Sequence, residues 1–145
     1  MLVKMIPMGI AFSVVLASCN VVKMGVRKDT RAFGKAGLHA YVLTDKAGPH
    51  YVWSSTAPRS ADGGRPKLML VHGITSQGLM WAKNVADLSK TYDLIVPDLI
   101  GHGHSTAQWS GNSVDAQVAH LLLIFDSLEV SKPVDLVGNS YGGDI

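Results

Sequence analysis

The residues with the clearest capacity for chemistry lie near the end of the chain, where positions 138–143 read Gly-Asn-Ser-Tyr-Gly-Gly. They fit the pattern G-x-S-x-G, and a short, largely apolar run over 134–137 leads into them. A strand that enters this pattern and continues into a helix makes a tight, strained turn that exposes the serine hydroxyl. Gly138 and Gly142 suit that turn because a side chain at either position would collide with neighbouring backbone. The pattern therefore predicts Ser140 as a nucleophile.

A sheet must hold this serine, and the sequence predicts one. The predicted strands cover residues 38–44, 50–56, 67–72, 92–96 and 134–137. The first two flank a turn cluster and predict a hairpin, and the third is a continuous apolar run typical of a buried parallel strand. Helical spacing predicts helices over 79–89 and 114–128, the second with Ser113 as N-cap and Asp115 in its first turn. A hairpin followed by βαβαβ is an α/β architecture with a largely parallel sheet.

Two further motifs follow predicted strands. His72-Gly73-Ile74 ends the third strand, and residues 97–105, Pro-Asp-Leu-Ile-Gly-His-Gly-His-Ser, end the fourth. Together with the serine motif, and in this order, they resemble the motifs of the α/β-hydrolase fold family. The resemblance covers residues 38–145 and implies a partial domain over 37–145, interrupted after the turn that carries the serine.

The resemblance assigns roles to these residues. Attack on an acyl carbon creates an oxyanion, which requires preorganised donors. The family pattern implies that the backbone N–H groups of Ile74 and Tyr141 supply them. It also implies structural roles for His72 and Gly73, which shape the loop after the third strand, and for Asp98.

The base that would activate the serine is expected later in the protein. In this fold the acid and the histidine follow the serine in sequence, but only Asp144 and Ile145 follow Gly143 here. We expect both groups in a C-terminal part that this sequence does not contain. The last strand is then expected to be an exposed sheet edge.

The remaining histidines predict no metal site. His102 and His104 form an H-x-H pair, and two ligands alone do not make a site. Thr106 and Ala107 follow, where hydrolases of the metallo-β-lactamase type place Asp-His. His120 lies on the second predicted helix, where we expect it to be packed or half exposed. The resemblance implies no cofactor.

The first 18 residues predict a lipoprotein signal peptide. An uncharged apolar stretch over 5–17 is shorter than the roughly 20 residues of a spanning helix and has the length of a signal-peptide core. Residues 16–19, Leu-Ala-Ser-Cys, resemble a bacterial lipobox and contain the only cysteine. This implies cleavage before Cys19, lipid attachment to it, and a lipid-anchored place in the bacterial cell envelope. An ordinary secretory signal is the alternative. Asn20 resembles the outer-membrane sorting preference of enterobacteria.

A basic segment over 19–36 is expected to act as a tether. It carries five cationic side chains against Asp29. Next to a lipid anchor such a segment would be drawn to anionic headgroups. A solvated linker without that role is the alternative.

These observations predict a serine hydrolase that acts on an ester or related acyl bond of a small molecule. Serine at the nucleophile position argues against relatives that use Asp, such as epoxide hydrolases, or Cys. Carbon–carbon hydrolases and cofactor-free haloperoxidases share these motifs and are further alternatives. A formal charge of +2 and the lack of a basic tract interleaved with aromatic residues argue against a nucleic-acid partner. The alternative is a non-catalytic, truncated lipoprotein fragment of such a hydrolase. The oligomeric state is left open.

Overall fold

A five-stranded sheet forms the centre of the computed structural model, which describes residues 24–58, 64–105 and 113–145. The strands are β1 (His39–Asp45), β2 (Gly48–Ser54), β3 (Lys67–Val71), β4 (Asp93–Pro97) and β5 (Val134–Gly138). Their spatial order is β1-β2-β4-β3-β5. The pairs β1–β2 and β2–β4 are antiparallel, whereas β3 runs parallel to both β4 and β5. The predicted α/β fold is confirmed, and the sheet is mixed because the hairpin joins its parallel part antiparallel.

Alternating side chains of the central strands build two apolar cores, one on each face of the sheet. Leu68 and Leu70 of β3 enter the first core, whereas Met69 of the same strand enters the second. In β4, Leu94 faces the first core and Ile95 the second. Side chains alternate along a strand, so a strand that is apolar throughout has both faces covered. This explains why β3 and β4 are buried along their whole length.

Helix α3 (Val114–Ser127) covers the second core through Leu121 and Ile124. Its N-terminus is capped as predicted, because the Ser113 hydroxyl accepts a hydrogen bond of 3.2 Å from the Ala116 N–H.

The segment predicted as one helix over 79–89 consists of two short pieces. A 3₁₀ helix covers Gly78–Lys83, and α2 covers only Val85–Leu88. Asn84 separates the two and its side chain makes no capping bond. Val85, one of the apolar residues that give this segment its helical spacing, lies in the first core. The spacing could not distinguish the tighter 3₁₀ turn, because both kinds of helix place residues three or four apart on one side.

Residues 24–35, within the segment interpreted as a tether, form helix α1. Phe33 is fully buried, and its ring meets that of Trp53 edge-on at 5.1 Å between centroids. Gly37 follows the helix, and its φ of +80° permits the Leu38 N–H to donate to the Phe33 carbonyl at 3.0 Å. Because Phe33 and Leu38 both enter the first core, this part of the segment packs on the sheet.

Strand β5 lies at the edge of the sheet, as expected. Leu136 is 62% exposed and Val137 is 42% exposed. Within the described ranges no helix has the length and apolarity needed to cross a membrane. The predicted signal peptide over 1–18 and Cys19 lie outside those ranges.

Candidate active site

Ser140 lies on a tight turn directly after β5. Its φ is +50°, in the left-handed region that residues other than glycine rarely adopt, and the residue is exposed. The Asn139 N–H donates to the Val71 carbonyl at 3.0 Å, so the turn is fixed to the end of β3. A 3₁₀ helix, Ser140–Gly143, continues from the serine. Such backbone strain at an exposed polar residue is typical of functional sites.

Two glycines make this turn possible. A Cβ on Gly138 would overlap the carbonyl group of Gly142 and the nitrogen of Gly143. A Cβ on Gly142 would lie 2.6 Å from the Val71 carbonyl oxygen and 2.7 Å from that of His72. Real Cβ atoms do not approach backbone oxygens so closely. The predicted reason for both glycines, a collision with neighbouring backbone, therefore agrees with the geometry.

The loop after β3 passes directly beside the serine. A Cβ on Gly73 would lie 3.3 Å from the Ser140 Cβ and 3.1 Å from the Asn139 carbonyl oxygen. Ile74 follows, 62% exposed, and its N–H has no acceptor within the residues that the structure describes. Thr75 has a φ of +60°, so a second strained residue lies in the loop that follows β3, the strand adjacent to β5. The structure thus brings the loop that carries Ile74 against Ser140.

His72 is buried, and both of its ring nitrogens are engaged away from the serine. Nδ1 lies 2.7 Å from the Gly73 carbonyl oxygen, and Nε2 accepts from the Leu99 N–H at 2.9 Å. An N–H acceptor at Nε2 requires a neutral ring that carries its proton on Nδ1. Burial, the larger influence, lowers the pKa of His72 and favours the same neutral form. This histidine joins the loop after β3 to the loop after β4.

Asp98 connects three segments around the site. Its Oδ1 accepts from the Gly78 N–H at 2.7 Å, and its Oδ2 accepts from the His104 N–H at 2.9 Å. Its backbone carbonyl lies 3.1 Å from Nε2 of His120. Gly103, with a φ of +53°, leaves the space that the carboxylate occupies. With a side chain only 2% exposed, Asp98 fixes the loops rather than facing solvent.

The H-x-H pair does not converge on one point. Nδ1 of His102 lies 3.0 Å from the Ile100 carbonyl oxygen, whereas Nδ1 of His104 lies 3.3 Å from Asp98 Oδ2. Across residues 24–58, 64–105 and 113–145, no three His, Cys, Asp or Glu side chains come together as a metal site would require. No hydrogen bond joins the Ser140 hydroxyl to a histidine in those same ranges.

A polar cleft of about 330 Å³ borders the loop after β3. Its walls include Thr75, Gln77 and Met80, and on the far side Asp29 of α1. Ser140 does not line this cleft. A smaller, apolar hollow of about 140 Å³ lies behind the serine turn, between α3 and β5, and Gly138 and Gly142 are among its walls.

The sequence model of the family described as alpha/beta hydrolase fold matches residues 66–145, more than half of the chain. The chain belongs to the alpha/beta hydrolase fold family. The resemblance seen in the three motifs is therefore confirmed.

Known members of the α/β-hydrolase family match the chain over part of their length. Epoxide hydrolase 4 of Mus musculus is 31% identical over 111 residues, 75% of this chain and 30% of that protein. Lipase LipV of Mycobacterium tuberculosis is 33% identical over 89 residues, 60% of this chain and 32% of that protein. The solved structure of a membrane phospholipase A, a bacterial virulence factor, has a TM-score of 0.70 and 21% identity. This match covers 93% of this chain and 43% of the phospholipase chain. At 21% identity, the similarity shows only that the two share a fold.

The chain thus spans less than a third of the length of these two relatives, 30% and 32%. The activity and the substrates of the whole protein are therefore proposals.

Sequence reasoning missed several residues at this α/β-hydrolase site. The strained φ of Thr75 has no signal in the sequence, because threonine does not favour the left-handed region. Asp29 lines the cleft only because α1 packs on the sheet, and its segment reads as a charged linker. The role of Gly78 as a donor to Asp98 depends on a contact between residues twenty apart.

Proposed function

We propose that this protein is a serine hydrolase that cleaves an ester or a related acyl bond, with Ser140 as its nucleophile. The observation that carries the proposal is the exposed, left-handed Ser140 at the end of β5, packed against the Gly73 loop. Two strained residues, Ser140 and Thr75, lie in the segments that follow the neighbouring strands β5 and β3. Strain of this kind persists where function requires the conformation.

The proposed reaction uses the two loops together. The Ser140 oxygen bonds to the acyl carbon while its proton passes to a histidine, which we expect in sequence downstream of Ile145. Backbone N–H groups of Ile74 and Tyr141 donate to the oxygen that gains negative charge. Collapse of this tetrahedral intermediate breaks the bond to the leaving alcohol, which takes the proton from the histidine, and leaves the acyl group on Ser140. A water molecule then attacks this acyl group in the same way, the bond to the Ser140 oxygen breaks, and the acid is released.

Lipase LipV and the epoxide hydrolase named among the relatives suggest two different reactions. An epoxide hydrolase of this family opens its substrate with an aspartate, and this chain has a serine at that position. The serine favours acyl transfer. The proposed reaction requires no cofactor.

Covalent labelling with a fluorophosphonate probe tests the proposal. An activated serine oxygen attacks the phosphorus and expels fluoride, whereas an ordinary serine does not react. The reaction is run on the chain and on a version extended by its natural downstream sequence, with the labelled peptide identified by mass spectrometry. Ser140→Ala is the test variant. Ser131→Ala, at an exposed serine outside the site, is the matched control.

We expect labelling of the extended protein at Ser140, loss of labelling in Ser140→Ala, and full labelling in Ser131→Ala. Little or no labelling is expected of the 145-residue chain, because no histidine follows Ser140 in it. Labelling of the extended protein without labelling of the 145-residue chain would mean that this chain alone is a non-catalytic fragment. Failure of every version to react at Ser140 would refute the proposed nucleophile.

We also propose a lipid anchor on Cys19 in a bacterial envelope, on the basis of the motif over 16–19. When the protein is expressed in a bacterium with its own leader, Cys19→Ser should abolish incorporation of labelled palmitate. In the same variant the signal peptide should not be removed, so the uncleaved protein should accumulate in the membrane fraction. Unchanged incorporation in Cys19→Ser would refute the anchor.

A further inference from the structure

The outward side of α1 carries a continuous stripe of long side chains. Its members are spaced three or four residues apart, which places them on one side of a helix, and all are exposed. They are Met24, Arg27, Lys28, Arg31 and Lys35. Phe33, on the opposite side, is fully buried against Trp53. Docking through Phe33 therefore holds this basic stripe toward solvent in a fixed orientation.

The four cations of the basic stripe have no carboxylate partner among the residues that the structure describes. The one acid of the helix, Asp29, is only partly exposed and lines the cleft beside Thr75. Like charges four residues apart, as in Arg27 and Arg31, destabilise a helix. The arrangement is therefore unfavourable for the isolated chain and favourable against an anionic surface.

We propose that the basic stripe of α1 binds the anionic headgroups of a lipid bilayer. Apolar side chains at its N-terminal end suit an interface, since Met24 is 69% exposed and Val26 is 40% exposed. Each lysine or arginine near an anionic bilayer adds about a fivefold gain in binding, so a rigid row of four is a substantial site.

A nucleic acid would be drawn to the same charges, but the stripe is less suited to it. Single strands bind through aromatic side chains on which bases stack. The one aromatic side chain of α1, Phe33, is buried in the core. A lipid surface needs only the charges and the exposed apolar end.

The position of α1 gives this binding a consequence. The same helix forms one wall of the polar cleft through Asp29, and the loop that carries Ile74 and Thr75 forms the other side. Met80, which lines the cleft, is 40% exposed, and Ile74, next to Thr75, is 62% exposed. A bilayer bound to the stripe would therefore lie against the helix that forms this wall of the cleft. The binding itself does not depend on Ser140, so it can hold even where the proposed hydrolysis fails.

Vesicle binding of the full chain tests this inference. Cys19→Ser is used throughout, so that no lipid is attached to the protein. Because the apolar segment 5–17 can bind any bilayer, the measured quantity is a ratio of affinities. It compares vesicles of phosphatidylcholine with vesicles that contain 30 mol% phosphatidylglycerol, in about 50 mM salt. The test variant is Arg27→Gln/Lys28→Gln/Arg31→Gln. The control is Lys46→Gln/Lys83→Gln/Lys90→Gln, which removes equal charge from exposed sites elsewhere.

We expect the test variant to lower the ratio about 100-fold, as the product of three roughly fivefold effects, and the control to change it less than fivefold. The preference should also weaken steeply when salt is raised, since surface charges are screened. Circular dichroism checks that both variants keep their helix content. Equal ratios in the test and control variants would overturn the proposal. A 20-nucleotide RNA that binds through the stripe, with no preference for anionic vesicles, would also overturn it.

Discussion

The imidazole rings of His50 and His120 stack inside the fold, with their Nδ1 atoms 2.8 Å apart. His50 Nε2 lies 2.9 Å from the Asp45 carboxylate, and His120 Nε2 lies 3.1 Å from the Asp98 carbonyl oxygen. A carbonyl oxygen can only accept, so His120 carries a proton on Nε2 and, when neutral, accepts from His50 at Nδ1. The pair thus links the hairpin to α3 and to the loop after β4.

This arrangement predicts a loss of stability in mild acid. Burial, with a smaller effect from the neighbouring His50, lowers the pKa of His120 from 6.5 to about 4. Between these values the unfolded chain binds more protons than the folded chain, so the free energy of unfolding decreases as pH falls. We expect this contribution to be complete above about pH 6.5 and to disappear toward about pH 4. Urea unfolding at a series of pH values measures it.

His120→Gln should flatten this pH dependence, while His39→Gln, at an exposed histidine, should leave it unchanged. His50, Asp45 and Asp98 face the same ring. The hydrogen bond from His50 is the main cause that lowers the pKa of Asp45 below its ordinary 3.8, so Asp45 adds its own loss only at lower pH. An unchanged slope in His120→Gln would contradict the assignment.

The serine turn predicts a large cost for a methyl group at Gly142. Its Cβ would lie 2.6 Å from the Val71 carbonyl oxygen. Because this oxygen belongs to the backbone, relieving the overlap would require the chain itself to shift. We expect Gly142→Ala to lower the free energy of unfolding by about 2 kcal/mol or more, in the range of severe overpacking. Gly34→Ala, at a helical glycine with nothing within 4 Å, should instead be neutral or stabilising by up to about 1 kcal/mol. Chemical denaturation measures the free energy of unfolding of both variants. Equal changes in the two variants would contradict the close contact at Gly142.

Much of this turn could be predicted from the sequence, and the reason is local. Gly138, Ser140 and Gly142 determine it within five residues, and the strands around it follow from apolar runs. The helix α1 could not be predicted in the same way. Its docking depends on one aromatic side chain, Phe33, in a segment dominated by charge, and on contacts with Trp53 twenty residues later.

The buried histidine pair was also beyond the sequence. His50 and His120 are seventy residues apart, and neither position carries a local pattern. His120 was expected to be packed or half exposed, and the structure buries it. Which polar groups become partners depends on strand order, which propensity does not specify.

The left-handed conformation of Ser140 predicts that glycine is better tolerated there than alanine. A residue with a Cβ at positive φ costs about 1–2 kcal/mol relative to its ordinary conformation. We expect Ser140→Gly to be about 1 kcal/mol more stable than Ser140→Ala, although both remove the nucleophile. Ser131 provides the control, because it has no positive φ and alanine should be the more stable replacement there. Thermal melts of the four variants measure the two differences, and the same order at both positions would contradict the strain.

The hydrogen bonds of Asp98 predict that its replacement lowers the stability of the fold, although Asp98 has no proposed part in the reaction. Its two carboxylate oxygens accept from the Gly78 and His104 N–H groups, at 2.7 and 2.9 Å. In Asp98→Asn one of these positions becomes an NH₂ group that faces a donor, which leaves a buried N–H unsatisfied. We expect a loss of about 1–3 kcal/mol in the free energy of unfolding. Asp135→Asn, at an exposed carboxylate on β5, should change it by less than about 0.5 kcal/mol. Urea denaturation at pH 7 compares them, and a neutral Asp98→Asn would show that the loops hold together without this carboxylate.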